Sequence, residues 1–455
     1  MKFLSVLSKE RSVASASYNR WLVPPAALAI HLSIGQAYAF SVFKLPLVEH
    51  FGSSDTAIAV IFSIAIVMLG LSAAFGGTWV ERNGPRKAMV LSTVCWTSGF
   101  AIAALGVQLG HLWIVYLGYG FIGGIGLGIG YISPVSTLMK WFPDRPGLAT
   151  GLAIMGFGGG ALIASPLSNT LLAHFGSPIA AGIVPTFFTL AVVYLILMSF
   201  GAALIRLPAP NWKPAGYVPT NKPQKLTTTA QVSAAGAIKT PQFYLLWTLL
   251  FCNITAGIGI LEQASPMIQA YFSNITAASA AGFVGVLSIA NMAGRFIWSS
   301  SSDRIGRKPI YMLYLGLGAI LFVILAQFGH SAVALFVTVA VIAISFYGGG
   351  FATIPAYLRD LFGTFEVGAI HGRVLTAWSA AGVAGPLIVN LITDSQHQAG
   401  ISGAGAYTPS LMVMAGLLTV GFLANLAIRP VASKHHLPAA PIEVSVAKIP
   451  EAVGR

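Results

Sequence analysis

Long apolar stretches alternate with short polar ones along the whole chain. Each apolar stretch has roughly 20 residues or more, enough for an α-helix to cross a hydrocarbon core of about 30 Å. The pattern predicts an all-α membrane protein with twelve transmembrane helices. Their predicted bounds are 21–47, 54–79, 86–107, 111–138, 146–173, 181–206, 243–269, 276–302, 309–328, 332–357, 368–392 and 408–428.

Composition and charge point to the same class. Of 455 residues, 56% are hydrophobic and 8% are charged, whereas a soluble domain has about 25% charged residues. The net charge of +13 could indicate a nucleic-acid partner, but its distribution excludes one. If the N-terminus is cytoplasmic, every Lys and Arg except Lys44 and Arg295 lies on the cytoplasmic side. This positive-inside pattern predicts a multi-pass protein of the cell membrane, favouring a bacterial inner membrane, with both termini cytoplasmic.

The chain is divided by a segment rich in Pro and Lys, residues 207–241, which we interpret as a cytoplasmic linker. Six predicted helices lie before it, in residues 1–206, and six after it, in residues 242–430. Residues 431–455 contain Pro and no periodic apolar pattern, and we predict a disordered cytoplasmic tail there.

The two sets of helices repeat each other in sequence. "ERNGPRK" (81–87) and "DRIGRK" (303–308) each close the second helix of their half. "GLGIGYISPVSTLMKWFP" (126–143) aligns with "FYGGGFATIPAYLRDLFG" (346–363) at nearly the same separation along the chain. In transporters built from such repeats, the substrate site lies between the halves near the bilayer midplane.

The same loop motif, with acidic and basic residues, occurs in both halves. This repetition favours the interpretation that the two loops form a gate on the cytoplasmic side. Their carboxylates can pair with Arg or accept hydrogen bonds from a helix N-terminus across the gap between the halves. The alternative is that basic loops reflect topology alone. The residues predicted to take part in gating are Glu81, Arg82, Arg86, Asp303 and Arg304.

These motifs resemble those of the major facilitator superfamily, whose signature loop after the second helix is similar to "GTWVERNGPRK" and its weaker copy "SSDRIGRK". Within it, the chain is similar to the oxalate/formate antiporter family, which is related to the monocarboxylate transporters. The stretches that carry this likeness are "NRWLVPPAALAIHLSIGQAYAFSVF" (19–43), "GYISPVSTLMKWFPDRPGLATGLAIMGFGGGA" (130–161) and "TAWSAAGVAGPL" (376–387). The resemblance implies a secondary active transporter that works by alternating access, not an enzyme.

Arg295 is the candidate centre of the substrate site. It lies eight residues before Asp303, so about 12 Å into the membrane at about 1.5 Å per residue. A cation there costs between ~3 and ~10 kcal/mol, which either a structural ion pair with Glu262 or a bound carboxylate can offset. A guanidinium fits the planar fork of a carboxylate. The resemblance implies the second interpretation, because the arginine of the family's eighth helix binds substrate carboxylate.

Five aromatic residues are candidates for the walls of this site: Tyr38, Tyr131, Tyr347, Phe351 and Trp378. From spacing alone, helical aromatics are more often packing residues, but the resemblance implies a cavity lined by the three tyrosines and Trp378. It also implies a second cation, a lysine, where this chain has Ala381 in the eleventh helix. One cation suits one carboxylate, so formate-, lactate- or pyruvate-like monoanions are favoured over oxalate.

Two ionisable residues within apolar stretches, Glu262 and His31, are possible proton carriers. The alternatives are a structural or entrance role for Glu262 and a helix-packing role for His31. The sequence contains no catalytic, metal or cofactor signature. Proton symport and oxalate/formate exchange both remain open, as does a sensor built on a transporter fold, and a functional monomer is expected.

Overall fold

The computed structural model describes residues 7–15, 17–176, 179–210, 212–214, 216–217, 226–228 and 230–438. The described part of the chain is helical and contains twelve long segments, α1 to α12. The helices are α1 Arg20–Ala39 with Ser41–Phe51, α2 Asp55–Asn83, α3 Pro85–Gln108, α4 Leu112–Trp141, α5 Pro146–Phe175, α6 Ile179–Leu204, α7 Pro241–Tyr271, α8 Ala277–Ile305, α9 Arg307–Ser331, α10 Val333–Phe362, α11 Val367–Gln398 and α12 Ala404–Ala427.

The predicted fold class is confirmed. In the described part, ten helices are long and apolar enough to cross a membrane, and α1, which bends by 48° between its two parts, is an eleventh if these count as one span. The remaining segment, α8, has 29 residues and carries Arg295 in its interior. Several helices extend beyond the predicted bounds, because a polar residue at a helix end does not interrupt its backbone hydrogen bonds.

Local chemistry sets the helix ends. The side-chain oxygens of Ser54, Thr240 and Thr276 cap α2, α7 and α8 by accepting hydrogen bonds from backbone N–H groups. Gly84 and Gly306 adopt φ of 87° and 96° in the matching turns after α2 and α8. Residues with side chains rarely adopt such angles, so glycine permits both tight basic turns. We call the end of the bundle that carries these turns the basic end.

The halves, α1–α6 and α7–α12, meet along two helix pairs, α5 with α8 and α2 with α11. Glycines allow α5 to approach α8 closely. A Cβ atom at Gly151 would lie 2.9 Å from the carbonyl oxygen of Arg295, and a Cβ at Gly158 would lie 2.7 Å from the Nε of the same residue. Because no larger residue fits at either position without displacement, the helix carrying Arg295 is held directly against the other half.

The linker and the start of the tail pack against the second half. The backbone N–H groups of Thr228 and Val232 donate to the carbonyl oxygens of Asp360 and Phe362, at 2.9 Å each. A short helix, Ala234–Ala237, precedes α7. The tail differs from our expectation of disorder from residue 431, because residues 431–438 are in place and the N–H of Leu437 donates to the carbonyl oxygen of Gln231 at 2.7 Å. Residues 439–455 lie outside the described part.

Candidate functional site

Arg295 is fully buried, ten residues before the end of α8. Its Nε donates a hydrogen bond to Oδ1 of Asn291, one turn earlier, at 3.1 Å. Its Nη1 donates to the carbonyl oxygen of Ile154 on α5 at 3.3 Å. Its Nη2 has no hydrogen-bond partner among the described residues. The guanidinium therefore bridges the two halves through neutral groups and keeps unused donor capacity.

No carboxylate in the described part of the chain lies within ion-pair distance of Arg295. Glu262, the partner considered from the sequence, lies elsewhere on α7, where its charge interacts with Lys44 and its side chain with Asn390. Among the described residues, no charge thus compensates the buried cation. A desolvated cation without a counter-ion is costly, so an anion bound beside it would lower that cost.

Two aromatic rings lie close to the guanidinium, and rings from two further helices pack against them. The Cζ atom of Arg295 lies 4.9 Å from the ring centroid of Phe351 on α10 and 5.9 Å from that of Phe157 on α5. Trp378 of α11 packs against both rings, with centroids 4.6 Å and 5.3 Å away. Tyr131 of α4 lies 5.5 Å from Trp378. Cation–π contact offsets part of the desolvation cost without neutralising the charge.

Tyr38 and Tyr347 join the halves at the same level. Their hydroxyl oxygens, from α1 and α10, are 3.4 Å apart, and the ring of Tyr38 also contacts Phe157 at 5.1 Å. The structure therefore brings all five of the substrate-binding residues implied by the resemblance into one cluster. Of these five, Tyr131 and Trp378 have a hydroxyl and an indole N–H without a partner in the described part. Hydrogen-bond donors without partners beside a buried cation can donate to a bound anion.

Two members of the cluster, Phe157 and Asn291, were not predicted as site residues. Phe351 lies one turn after Tyr347, and this shared helix face made it a candidate from the sequence. Asn291 lies one turn before Arg295, and the same spacing could have identified it. Phe157 lies in the glycine-rich run of α5, where only the three-dimensional packing shows which half it faces.

At the basic end, Glu81 links the halves. Its carboxylate accepts a hydrogen bond from Lys140 of α4 at 2.6 Å and one from Ser136. It also accepts from the backbone N–H of Gly368, in the first turn of α11, at 3.2 Å. A carboxylate at a helix N-terminus interacts favourably with the unpaired N–H groups and the helix dipole.

Asp303 makes the matching contact in the opposite direction. Its two carboxylate oxygens accept from the N–H groups of Gly147 and Leu148, in the first turn of α5, at 2.8 Å and 2.9 Å. Arg307 pairs with Asp303 at 2.6 Å and with Asp360 at 3.2 Å. Leu148 and Gly368 occupy equivalent positions when the two repeats are aligned. Each half therefore caps a helix of the other half with an equivalent carboxylate.

The predicted basic partners lie elsewhere. Arg82 and Arg304 have exposed side chains, and the charge of Arg86 interacts with Tyr18 and Arg206 within the first half. The cations that hold the two carboxylates are instead Lys140 and Arg307. The sequence pattern identified the carboxylates but not these cations. Lys140 is remote in sequence from Glu81, whereas Arg307 lies within the quoted motif, and its spacing of four residues from Asp303 could have identified it.

The fold and the site define a two-half membrane transporter. The profile of the Major Facilitator Superfamily matches residues 26–386 and 264–453. The chain belongs to this superfamily, whose members are transporters rather than enzymes.

Several relatives have carboxylates in their names. The chain is 27% identical to the oxalate:formate antiporter of Oxalobacter formigenes, over 81% of this chain and 83% of that protein. It is 26% identical to apicoplast pyruvate carrier 1 of Toxoplasma gondii, over 77% and 72%. Human monocarboxylate transporter 11 is 32% identical over 43% of this chain and 40% of its own length.

Solved structures support the fold. The transporter FucP in its outward conformation has a TM-score of 0.66 at 14% identity, covering 89% of this chain and 97% of that one. The human organic anion transporter MFSD10 has a TM-score of 0.64 at 13% identity, covering 90% and 100%. At these identities, the likeness concerns the fold alone.

Gly158→Ala should weaken anion binding. The new methyl group would meet Nε of Arg295 and displace the guanidinium, and a shift of about 1 Å at such a site can cost ~100-fold in activity. Substrate affinity measured on purified protein should fall by at least about tenfold. The matched control is Gly285→Ala in α8, where a Cβ meets nothing within 4 Å. Equal affinity of the two variants would contradict the assigned geometry.

Asp303→Asn should loosen the basic end. The substitution weakens two charge-assisted hydrogen bonds to α5 and the ion pair with Arg307, a loss of roughly 1.5 kcal/mol or more. A cysteine introduced at the buried Thr150, with Cys95 and Cys252 replaced by Ala, should then react roughly tenfold faster with a maleimide. Asp394→Asn, at an exposed position near the other end of α11, is the control. An unchanged labelling rate would argue against a gating role for Asp303.

Proposed function

We propose that this transporter moves small monocarboxylates, of the formate, lactate or pyruvate type, by alternating access around Arg295, with proton coupling. The observation that carries the proposal is a fully buried guanidinium without a carboxylate partner in the described part. A substrate carboxylate would supply the missing negative charge and accept from Nη2, which has no partner there.

The number of charges favours a monoanion. Arg295 is the one cation that contacts the aromatic cluster in the described part. The position where the resemblance implies a second cation holds Ala381, which is fully buried. A dianion would therefore carry a second desolvated charge with no fixed partner, which is unfavourable. The rings of Phe157, Phe351 and Trp378 offer apolar contact to the short carbon chain of a monoacid.

The contacts between the halves support a mechanism of alternating access. At the basic end, which the charge pattern predicts to be cytoplasmic, α5 and α8 are joined by the bond from Ser299 to the carbonyl of Gly147 at 2.6 Å. Arg359 donates to the carbonyl of Pro143 at 3.1 Å. Together with the carboxylates of Glu81 and Asp303, these contacts close that side. Rocking the halves apart there would break the polar contacts and open the site to the cytoplasm.

Two other functions compete with this proposal. Oxalate/formate exchange is favoured by the name of the Oxalobacter formigenes relative, but it requires a second positive charge for oxalate. A sensor function would use the same binding site without net movement of substrate.

Two residues are candidates for coupling transport to a proton. His31 lies at the site, with its ring 5.3 Å from that of Tyr131. Glu262 lies outside the aromatic cluster, beside Lys44, which favours an entrance role.

Counterflow in proteoliposomes tests the three functions. Vesicles are loaded with lactate, pyruvate, formate or oxalate, and uptake of the labelled acid is followed with and without an inward proton gradient. Monocarboxylate uptake that increases with the gradient is expected. Uptake that needs internal oxalate and ignores pH would mean an exchanger, and binding without uptake would mean a sensor.

Arg295→Gln should abolish transport without unfolding the protein. Removing one partner of a buried charge pair costs roughly 2–5 kcal/mol of binding, so uptake should fall by at least about 30-fold. In the absence of substrate, the variant loses a desolvated, uncompensated cation, and its melting temperature should stay equal or rise. Arg11→Gln, at an exposed position before α1, is the control. A melting temperature lowered by more than about 5 °C would indicate a structural role instead.

A further inference from the structure

Two histidines from opposite halves lie against the same tyrosine of the site. His31 of α1 and His371 of α11 are both fully buried. Their rings lie 5.3 Å and 5.9 Å from the ring of Tyr131, which belongs to the aromatic cluster. His371 is not among the residues that the sequence pattern singled out, because only the packing of the halves brings it to the site.

The hydrogen bond of His31 determines which of its nitrogens is basic. Nδ1 lies 3.1 Å from the carbonyl oxygen of Ala27. A carbonyl oxygen only accepts, so Nδ1 carries the hydrogen and Nε2 of the neutral ring presents a lone pair. Nε2 has no partner in the described part of the chain. The ring is thus held in one tautomer with its basic nitrogen unused.

His371 is less satisfied still. Neither Nδ1 nor Nε2 has a hydrogen-bond partner among the described residues. A neutral imidazole has one donor and one acceptor, and burying both without partners is unfavourable. An imidazole without hydrogen-bond partners beside a binding site suggests that His371 binds a ligand or a proton during the transport cycle.

The charges around the pair are few. The positive charge of Arg295, on α8, disfavours a positive charge on His31. A positive charge on His31 in turn disfavours one on His371. On the side of the basic end, the ion pair of Glu81 with Lys140, from α2 and α4, reaches Gly368, three residues before His371. Arg373 follows on α11 itself. No carboxylate in the described part forms an ion pair with either histidine.

We infer that His31 and His371 form one proton-binding site, which takes up a single proton together with the carboxylate bound at Arg295. This inference rests on the proposed function. In the empty site, burial of both imidazoles opposes a positive charge on either ring, and the charge of Arg295 adds to this at His31. A bound carboxylate supplies a negative charge that offsets both effects. Because such coupling is reciprocal, the proton also favours the anion. Mutual repulsion of two imidazolium rings limits the pair to one proton.

The position of the pair connects the proton to alternating access. One histidine belongs to each half, so separating the halves around Tyr131 also separates the two rings. A proton held by either ring is then exposed on the side where the halves part, which is also the side where the carboxylate leaves. Proton and anion would therefore be taken up and released on the same side of the membrane.

His371→Gln tests the inference, because the amide keeps a donor and an acceptor but does not titrate. Pyruvate is added to purified protein in lightly buffered solution near neutral pH, and a pH indicator reports proton uptake on binding. The full-length protein should take up about one proton per pyruvate bound. The variant should still bind pyruvate, within about tenfold of the original affinity, but take up no proton. His397→Gln, at an exposed position near the other end of α11, should behave like the unmodified protein.

The outcomes separate this inference from the proposed function. Undiminished proton uptake by His371→Gln would overturn the inference. Loss of pyruvate binding in the folded variant would also overturn it, because His371 would then maintain the shape of the binding site by packing and not carry a proton. If the Gln variant does not fold, His371→Asn and His31→Gln are measured in the same way, with the same expected loss of proton uptake. Failure of the unmodified protein to bind any monocarboxylate would instead contradict the proposed function.

Discussion

The burial of one positive charge without a counter-charge among the described residues is the constraint on which the rest of this structure depends. Arg295 is held by an amide oxygen, a carbonyl oxygen and two aromatic rings, none of which neutralises it. The surrounding helices fix the guanidinium in this position. Under the proposed function, a bound anion would recover part of the cost of its desolvation as binding affinity. A pocket lined by neutral donors alone would bind carboxylates less well and would discriminate less against neutral solutes.

The sequence duplication accounts for a second feature of the structure, the pair of carboxylate contacts at the basic end. Glu81 and Asp303 each cap the first turn of a helix in the opposite half, so the same interaction occurs twice at the basic end. Each contact is polar, exchangeable with water and close to the surface, and none requires an apolar core to be broken. Contacts of this kind suit an interface that must open and close, whereas the glycine approach between α5 and α8 keeps the halves aligned near Arg295.

Much of the fold and part of the candidate site could be predicted from the sequence, for physical reasons. A membrane helix needs a long apolar run, so all twelve segments could be recognised from the sequence, and a charge within such a run, as at Arg295 in α8, stands out by its cost. Repetition of one motif at matching positions of the two halves located the paired loops. Contacts between remote helices carry no local pattern. For this reason Phe157, Lys140 and His371 were missed, and the packing of residues 431–438 was not expected.

Calorimetric titration of the purified protein with pyruvate and with its neutral amide, pyruvamide, shows whether Arg295 recognises the negative charge of a carboxylate. The two ligands are nearly equal in size and differ in charge. This role of Arg295 predicts that pyruvate binds and that pyruvamide binds at least about 30-fold more weakly, as expected when a buried charge pair loses a partner. Equal affinities for the two ligands would contradict it.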